Sequence, residues 1–85
     1  MLFVKYKNSK IIAMNKDTVQ KLGFKIRMER QKAKISQEKM AELAGMSKNS
    51  VSLIERGKTN ATISNIESIA NVLKLDIREL FNFVI

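Results

Sequence analysis

Residues 36–57 read SQEKMAELAGMSKNSVSLIERG, and this stretch predicts two short helices joined by a tight turn. Ser36 and Ser47 each precede a set of apolar positions, and serine is a favoured helix N-cap because its hydroxyl accepts a hydrogen bond from a free backbone N–H. Gly45 lies between the two sets, where a left-handed residue ends a helix without strain from a Cβ atom. Gly57 marks the end of the second helix.

The two predicted helices are suited to close packing against each other. Small side chains at Ala41 and Ala44 let the second helix approach the first, and the short glycine turn sets the pair at a steep angle. Val51 and Ile54 would hold the second helix to a core, which leaves its opposite face exposed. This is the helix-turn-helix arrangement, in which the second helix presents side chains to base edges in the major groove of DNA.

Three further helices are predicted, one before this pair and two after it. Apolar residues recur at helical spacing after Thr18, Thr62 and Asp76, and each of these residues can act as an N-cap. Five short helices joined by short loops predict a compact all-α domain over residues 18–85.

Residues 1–17 differ from the rest of the chain. One side of the 2–7 segment is apolar, and Asn8-Ser9 offers a two-residue turn, so a small β-hairpin is one interpretation. A basic N-terminal arm is the other, because an isolated hairpin is only marginally stable in water.

Composition restricts the chemistry of the chain. It has 85 residues, 16 Lys+Arg against 8 Asp+Glu, a net charge of +8, and neither Cys nor His. The usual zinc ligands and the commonest general base are therefore missing, and no motif assembles a nucleophile, a base and an oxyanion donor. We expect no enzyme activity, no metal and no cofactor. The positive charge favours a polyanionic partner such as nucleic acid.

Membrane association is not expected. No apolar run approaches the ~20 residues of a membrane span, and lysines interrupt residues 1–14 where a signal peptide would need an unbroken apolar segment. The best amphipathic stretch, 62–73, carries no cation with which to bind an acidic membrane surface. The sequence predicts a cytoplasmic protein.

Residues in all five predicted helices match, at the same spacing, those typical of a known family. These positions are Leu22-Gly23, Ile26-Arg27, Arg30, Ser36-Gln37-Glu38, Ala41, Ala44-Gly45, Ser47, Val51-Ser52, Ile54-Glu55-Arg56-Gly57, Asn60, Thr62 and Leu75-Asp76-Ile77. Through them the chain resembles the XRE-type helix-turn-helix domains of lambdoid phage repressors, Cro proteins and restriction-modification controller proteins. The TNATI sequence at 59–63 is closest to the controllers, whereas Lys34 stands where the family usually has glycine.

The resemblance implies a lambda-repressor-like fold that binds double-stranded DNA through a recognition helix at 47–56. Gln37 would bind a phosphate and brace that helix. The implied contacts on the recognition helix are Ser47, Lys48, Asn49, Ser52 and Leu53, of which Lys48, Asn49 and Ser52 would face the bases. The loop residues Lys58, Thr59 and Asn60 would contact the DNA backbone.

Arg30 and Glu55 are charges at positions where the helical spacing predicts apolar residues. The resemblance implies that they form a partly buried ion pair between the first and third helices. The alternative is that they are two unrelated surface charges.

The C-terminal segment, residues 75–85, carries more apolar side chains than the end of a small monomer should expose. One interpretation is a dimer interface, and the alternative is that residues 83–85 fold back on the core of their own chain. The implied dimer interface comprises Leu75, Ile77, Leu80, Phe81 and Phe83. Because one recognition helix reads only a few base pairs, we expect a homodimeric transcription regulator on a palindromic operator. The alternative is an antitoxin-type module that binds a protein partner through residues 1–17 and regulates its own promoter.

The positive charge is unevenly distributed. Ten of the sixteen basic residues but only two of the eight acidic ones lie in residues 1–35, so the whole excess of +8 is located there. We therefore expect the first helix and the N-terminal segment to contact phosphates, while a few mostly uncharged side chains on the recognition helix determine specificity.

Overall fold

The computed structural model describes residues 16–83, and all of its regular secondary structure is helical. The elements are α1 (Lys16–Lys32), α2 (Gln37–Ala44), α3 (Lys48–Glu55), α4 (Ile63–Leu73) and α5 (Ile77–Leu80). The predicted all-α, five-helix fold is confirmed. The hairpin or arm and the protein-partner site proposed for residues 1–17 lie outside the described residues, apart from positions 16 and 17 in α1.

Most of the predicted N-caps are present. The side chains of Ser36, Ser47 and Thr62 each accept a hydrogen bond from the backbone N–H three residues later, at 2.9 or 3.0 Å. Asp76 caps α5 by accepting from the backbone N–H two residues later at 2.9 Å. The prediction for Thr18 was wrong, because α1 starts two residues earlier and Thr18 lies within it.

The core draws side chains from all five helices. The largest fully buried ones are Ile26, Met40, Val51, Ile66, Ile69 and Leu80. Each contributes roughly 1.5 to 3 kcal/mol through removal of its apolar surface from water. Leu80 was expected at a dimer interface, but its exposed fraction is 0% because α5 turns it inward against the other helices. Its side chain is therefore part of the core of the monomer.

Two helices end on a lysine with a left-handed backbone. Gly45 ends α2 with φ of 70°, as expected for glycine. Lys34, after α1, and Lys74, after α4, adopt φ of 60° and 61°. A side chain with a Cβ atom costs roughly 1 to 2 kcal/mol in this conformation. Lys34 occupies a position where the family usually has glycine, whereas nothing in the sequence marked Lys74.

The backbones of α1 and α3 are in direct contact at Gly23. A Cβ atom built there would lie 2.2 Å from the carbonyl oxygen of Ile54 and 2.8 Å from that of Glu55. No side chain fits in this space. Because Gly23 has no side chain, the C-terminal end of α3 can approach α1 this closely.

We expect Gly23→Ala to lower the free energy of unfolding by about 3 kcal/mol, because the added methyl group meets backbone atoms that cannot rotate away. Urea denaturation measures the loss. Gly45→Ala is the matched control, because nothing lies within 4 Å of its Cβ position and only the positive φ is penalised. Equal losses in the two variants would contradict the close packing of α1 on α3.

Candidate nucleic-acid interface

One side of α3 is held in the core and the other faces outward. Val51 and Ile54 are buried, with exposed fractions of 0% and 4%. On the outward side Lys48 and Asn49 are exposed and Ser52 is half-buried. The predicted base-contacting residues therefore lie together on the free face of the helix, near its N-terminal end.

Other predicted members of this face differ in their surroundings. Ser47 is the N-cap of α3, and its hydroxyl also donates to the Ser50 hydroxyl at 2.9 Å. Leu53 is half-buried. Arg56 was not predicted as a contact, yet it is exposed and its Nε donates to Ser52 Oγ at 3.2 Å. The four-residue spacing between Ser52 and Arg56 is the sequence signal that could have identified it.

Arg30 and Glu55 are in direct contact between α1 and α3. Arg30 Nε donates to Glu55 Oε2 at 2.6 Å, and Arg30 Nη2 donates to Glu55 Oε1 at 3.0 Å. Arg30 Nη1 also donates to the backbone oxygen of Ile35 at 2.8 Å. The exposed fractions of Arg30 and Glu55 are only 9% and 6%. This two-point geometry fixes the relative orientation of the two helices.

Gln37 joins α2 to the same carboxylate. Its Nε2 donates to Glu55 Oε1 at 3.0 Å, which braces the start of α2 against the end of α3. Among the described residues, no buried side-chain nitrogen or oxygen lacks a hydrogen-bond partner. Glu55 therefore links three helices with its hydrogen-bonding capacity in use.

The loop after α3 lies beside the start of α1. Lys58 and Asn60 are exposed and Thr59 is half-buried. The Lys58 backbone N–H donates to the carbonyl oxygen of Leu53 at 2.9 Å, which ties the loop to α3. The three residues predicted to contact the DNA backbone therefore lie just after α3, in a loop that is hydrogen-bonded to that helix.

Intrahelical ion pairs reduce the number of free cations on α1. Asp17 pairs with Lys21 at 3.2 Å, while Glu29 pairs with Lys25 at 3.1 Å and with Lys32 at 3.6 Å. The hydrogen bond from Lys25, helped by the charge of Lys32, lowers the pKa of the Glu29 carboxyl and keeps it ionised. Three of the cations that were expected to contact phosphates therefore have an acidic partner on their own helix.

Within residues 16–83 no group of acidic side chains is arranged to hold a metal ion. No helix in that range has the length and apolarity needed to cross a membrane.

Comparisons with known proteins define the class. The helix-turn-helix family model matches residues 26–80. The restriction-modification controller protein C.AhdI from Aeromonas hydrophila superposes with a TM-score of 0.76 at 32% identity, over 80% of this chain and 99% of that one. A hypothetical transcription factor, NHTF from Neisseria, gives a TM-score of 0.72 at 29% identity over 79% and 78% of the two chains.

A third solved structure shares the fold alone. The clp gene regulator ClgR from C. glutamicum gives a TM-score of 0.71 at 21% identity, over 74% of this chain and 82% of that one. A search of curated protein sequences gave no significant match. The family match and the controller structure show that the chain belongs to the XRE-type helix-turn-helix family. It is a DNA-binding transcription regulator of that class.

We expect Glu55→Ala to destabilise the fold by about 3 to 5 kcal/mol, because it leaves the buried Arg30 guanidinium without its counter-charge. Urea denaturation measures the loss. Glu42→Ala is the matched control, since Glu42 is exposed and its contact with Lys39 spans 3.5 Å, so we expect almost no change. A Glu55→Ala variant as stable as the Glu42→Ala variant would contradict this role of the carboxylate.

Proposed function

We propose that this protein is a homodimeric transcription regulator that reads a palindromic operator with α3. The observation that carries the proposal is the exposed polar face of α3, held in a fixed orientation by Glu55 and its partners Arg30 and Gln37. Preorganised side chains lose little conformational freedom on binding, which favours specific recognition.

The side chains on this face suit direct readout of base edges. The Asn49 amide can donate to and accept from adenine, and the Lys48 ammonium can donate to the acceptors of guanine. Ser52 Oγ accepts a hydrogen bond from Arg56 Nε, so the Ser52 hydroxyl can still donate its proton to a base or a phosphate. Gln37, at the start of α2, stands where a helix crosses the DNA backbone in this arrangement.

Dimer formation is supported by apolar surface at the C-terminal end of the described chain. Phe81 is 37% exposed, and its ring centre lies 6.3 Å from that of Phe83. Phe83 also lines an apolar groove together with the exposed Phe24 and Met28 of α1. Leu75, two residues before α5, and Ile77, the first residue of α5, are half-buried and pack partly against the core. We propose that these residues, without Leu80, pack against a second copy around a two-fold axis.

The DNA-reading part of the proposal is tested by selecting bound duplexes from a random pool. We expect palindromes whose half-sites lie about one helical turn apart. Asn49→Ala should relax the preference at one position in each half-site, at a cost of about 1 to 3 kcal/mol for the preferred base.

Asn71→Ala is the matched control, because Asn71 is an exposed asparagine on α4, outside the proposed DNA-reading face. It should leave the selected sequence unchanged. Recovery of an unenriched pool by the unaltered protein would overturn the proposed sequence-specific function.

The dimer is tested by sedimentation equilibrium. We expect the unaltered chain of 9.7 kDa to sediment at twice this mass at micromolar concentration, and Phe81→Ala to shift it toward the monomer. Ile63→Ala is the control, because Ile63 is 67% exposed on a different part of the surface. Monomer mass for the unaltered chain at high micromolar concentration would rule out the dimer, and equal effects of the two variants would exclude the proposed surface.

A further inference from the structure

A shallow cavity lies between the start of α1 and the loop that follows α3. Its volume is about 250 Å³, and its lining consists of Lys16, Val19, Gly57, Lys58, Thr59 and Asn60. Apart from Val19 and Gly57 the lining is polar. Two lysines from separate parts of the chain thus lie around one small space, which we call the α1–loop pocket.

The two lysines are distinguished from most cations of α1 by their lack of acidic partners. Lys16 and Lys58 are both exposed, and neither forms an ion pair with any residue in the 16–83 range. Lys21, Lys25 and Lys32, by contrast, each pair with an acid on their own helix. The pocket therefore concentrates positive charge that no acidic side chain within residues 16–83 neutralises.

The walls of the pocket are held at a fixed separation. Gly57 has φ of 68°, and a Cβ atom built there would lie 2.9 Å from Cα of Gln20 on α1. The Gly57 N–H donates to the carbonyl oxygen of Ile54 at 3.1 Å. The loop is thus packed against α1 on one side and hydrogen-bonded to α3 on the other, so a ligand would not have to order it.

We propose that the α1–loop pocket binds one phosphate of the DNA backbone, with Lys16 and Lys58 on the same phosphate. Two ammonium groups supply the charge, and the Thr59 hydroxyl and the Asn60 amide supply further donors. The inference rests on the proposed function, because the duplex read by α3 provides the phosphate. Lys16 is the new element, since it lies outside residues 26–80 covered by the family match.

This contact would fix the position of α3 along the groove. Phosphate contacts carry no sequence information, but they determine the register and orientation in which a protein lies on the duplex. Because the pocket adjoins the C-terminal end of α3, a phosphate held there anchors the end of the helix opposite Lys48 and Asn49.

The test combines charge-neutralising variants with DNA in which single phosphates are replaced by neutral methylphosphonates. Lys16→Gln and Lys58→Gln should each weaken binding to the selected operator and to an unrelated duplex by the same factor. The double variant should reduce the slope of log K against log salt by about 0.9, the value for one phosphate. One methylphosphonate position should weaken binding by the unaltered protein, weaken it less in either single variant, and have the smallest effect on the double variant.

Lys32→Gln is the matched control, because it removes an exposed lysine of the same helix that is paired with Glu29. It should keep the salt slope and the methylphosphonate sensitivity of the unaltered protein. The pocket is excluded if Lys16→Gln behaves like Lys32→Gln, or if the two pocket variants show reduced sensitivity at different phosphates. Either result leaves the selected operator intact, whereas failure of the proposed function would show as no selected operator at all.

Discussion

The arrangement of the helices around α3 depends on the buried carboxylate of Glu55. It accepts two hydrogen bonds from Arg30 on α1 and one from Gln37 on α2. A carboxylate with so little contact with water is stable only when its charge and its lone pairs are met by donors. Three helices must therefore meet at one point before the charge can be buried, which couples folding of the domain to the orientation of the recognition helix.

The cations of the described chain differ in whether they have an acidic partner. The outward face of α3 carries Lys48 and several uncharged polar side chains, with Arg56 at its C-terminal end. Lys16 on α1 and Lys58 in the loop after α3 form no ion pair within residues 16–83. Net charge alone does not show this division, because Lys21, Lys25 and Lys32 are partly neutralised within their own helix. The pairing pattern, and not the net charge, shows which cations have an acidic partner within residues 16–83.

Local sequence signals predicted the helices well because capping is a local interaction. Ser36, Ser47 and Thr62 act as caps in the structure, since each hydroxyl reaches an N–H only three residues away. The prediction failed at Thr18, where α1 extends past a residue of the right type. It also gave no indication of Lys74, because this residue ends α4 in a left-handed backbone conformation that lysine does not itself favour.

The sequence by itself determined the five-helix order, the helix-turn-helix and the face of α3 that stays polar, because these follow from spacing along one chain. Tertiary structure decided what depends on contacts between distant residues. It placed Leu80 in the monomer core, brought Gln37 onto Glu55, and set Lys16 beside Lys58. Such neighbours are separated by many residues in sequence, and only packing of the helices around a shared core brings them together.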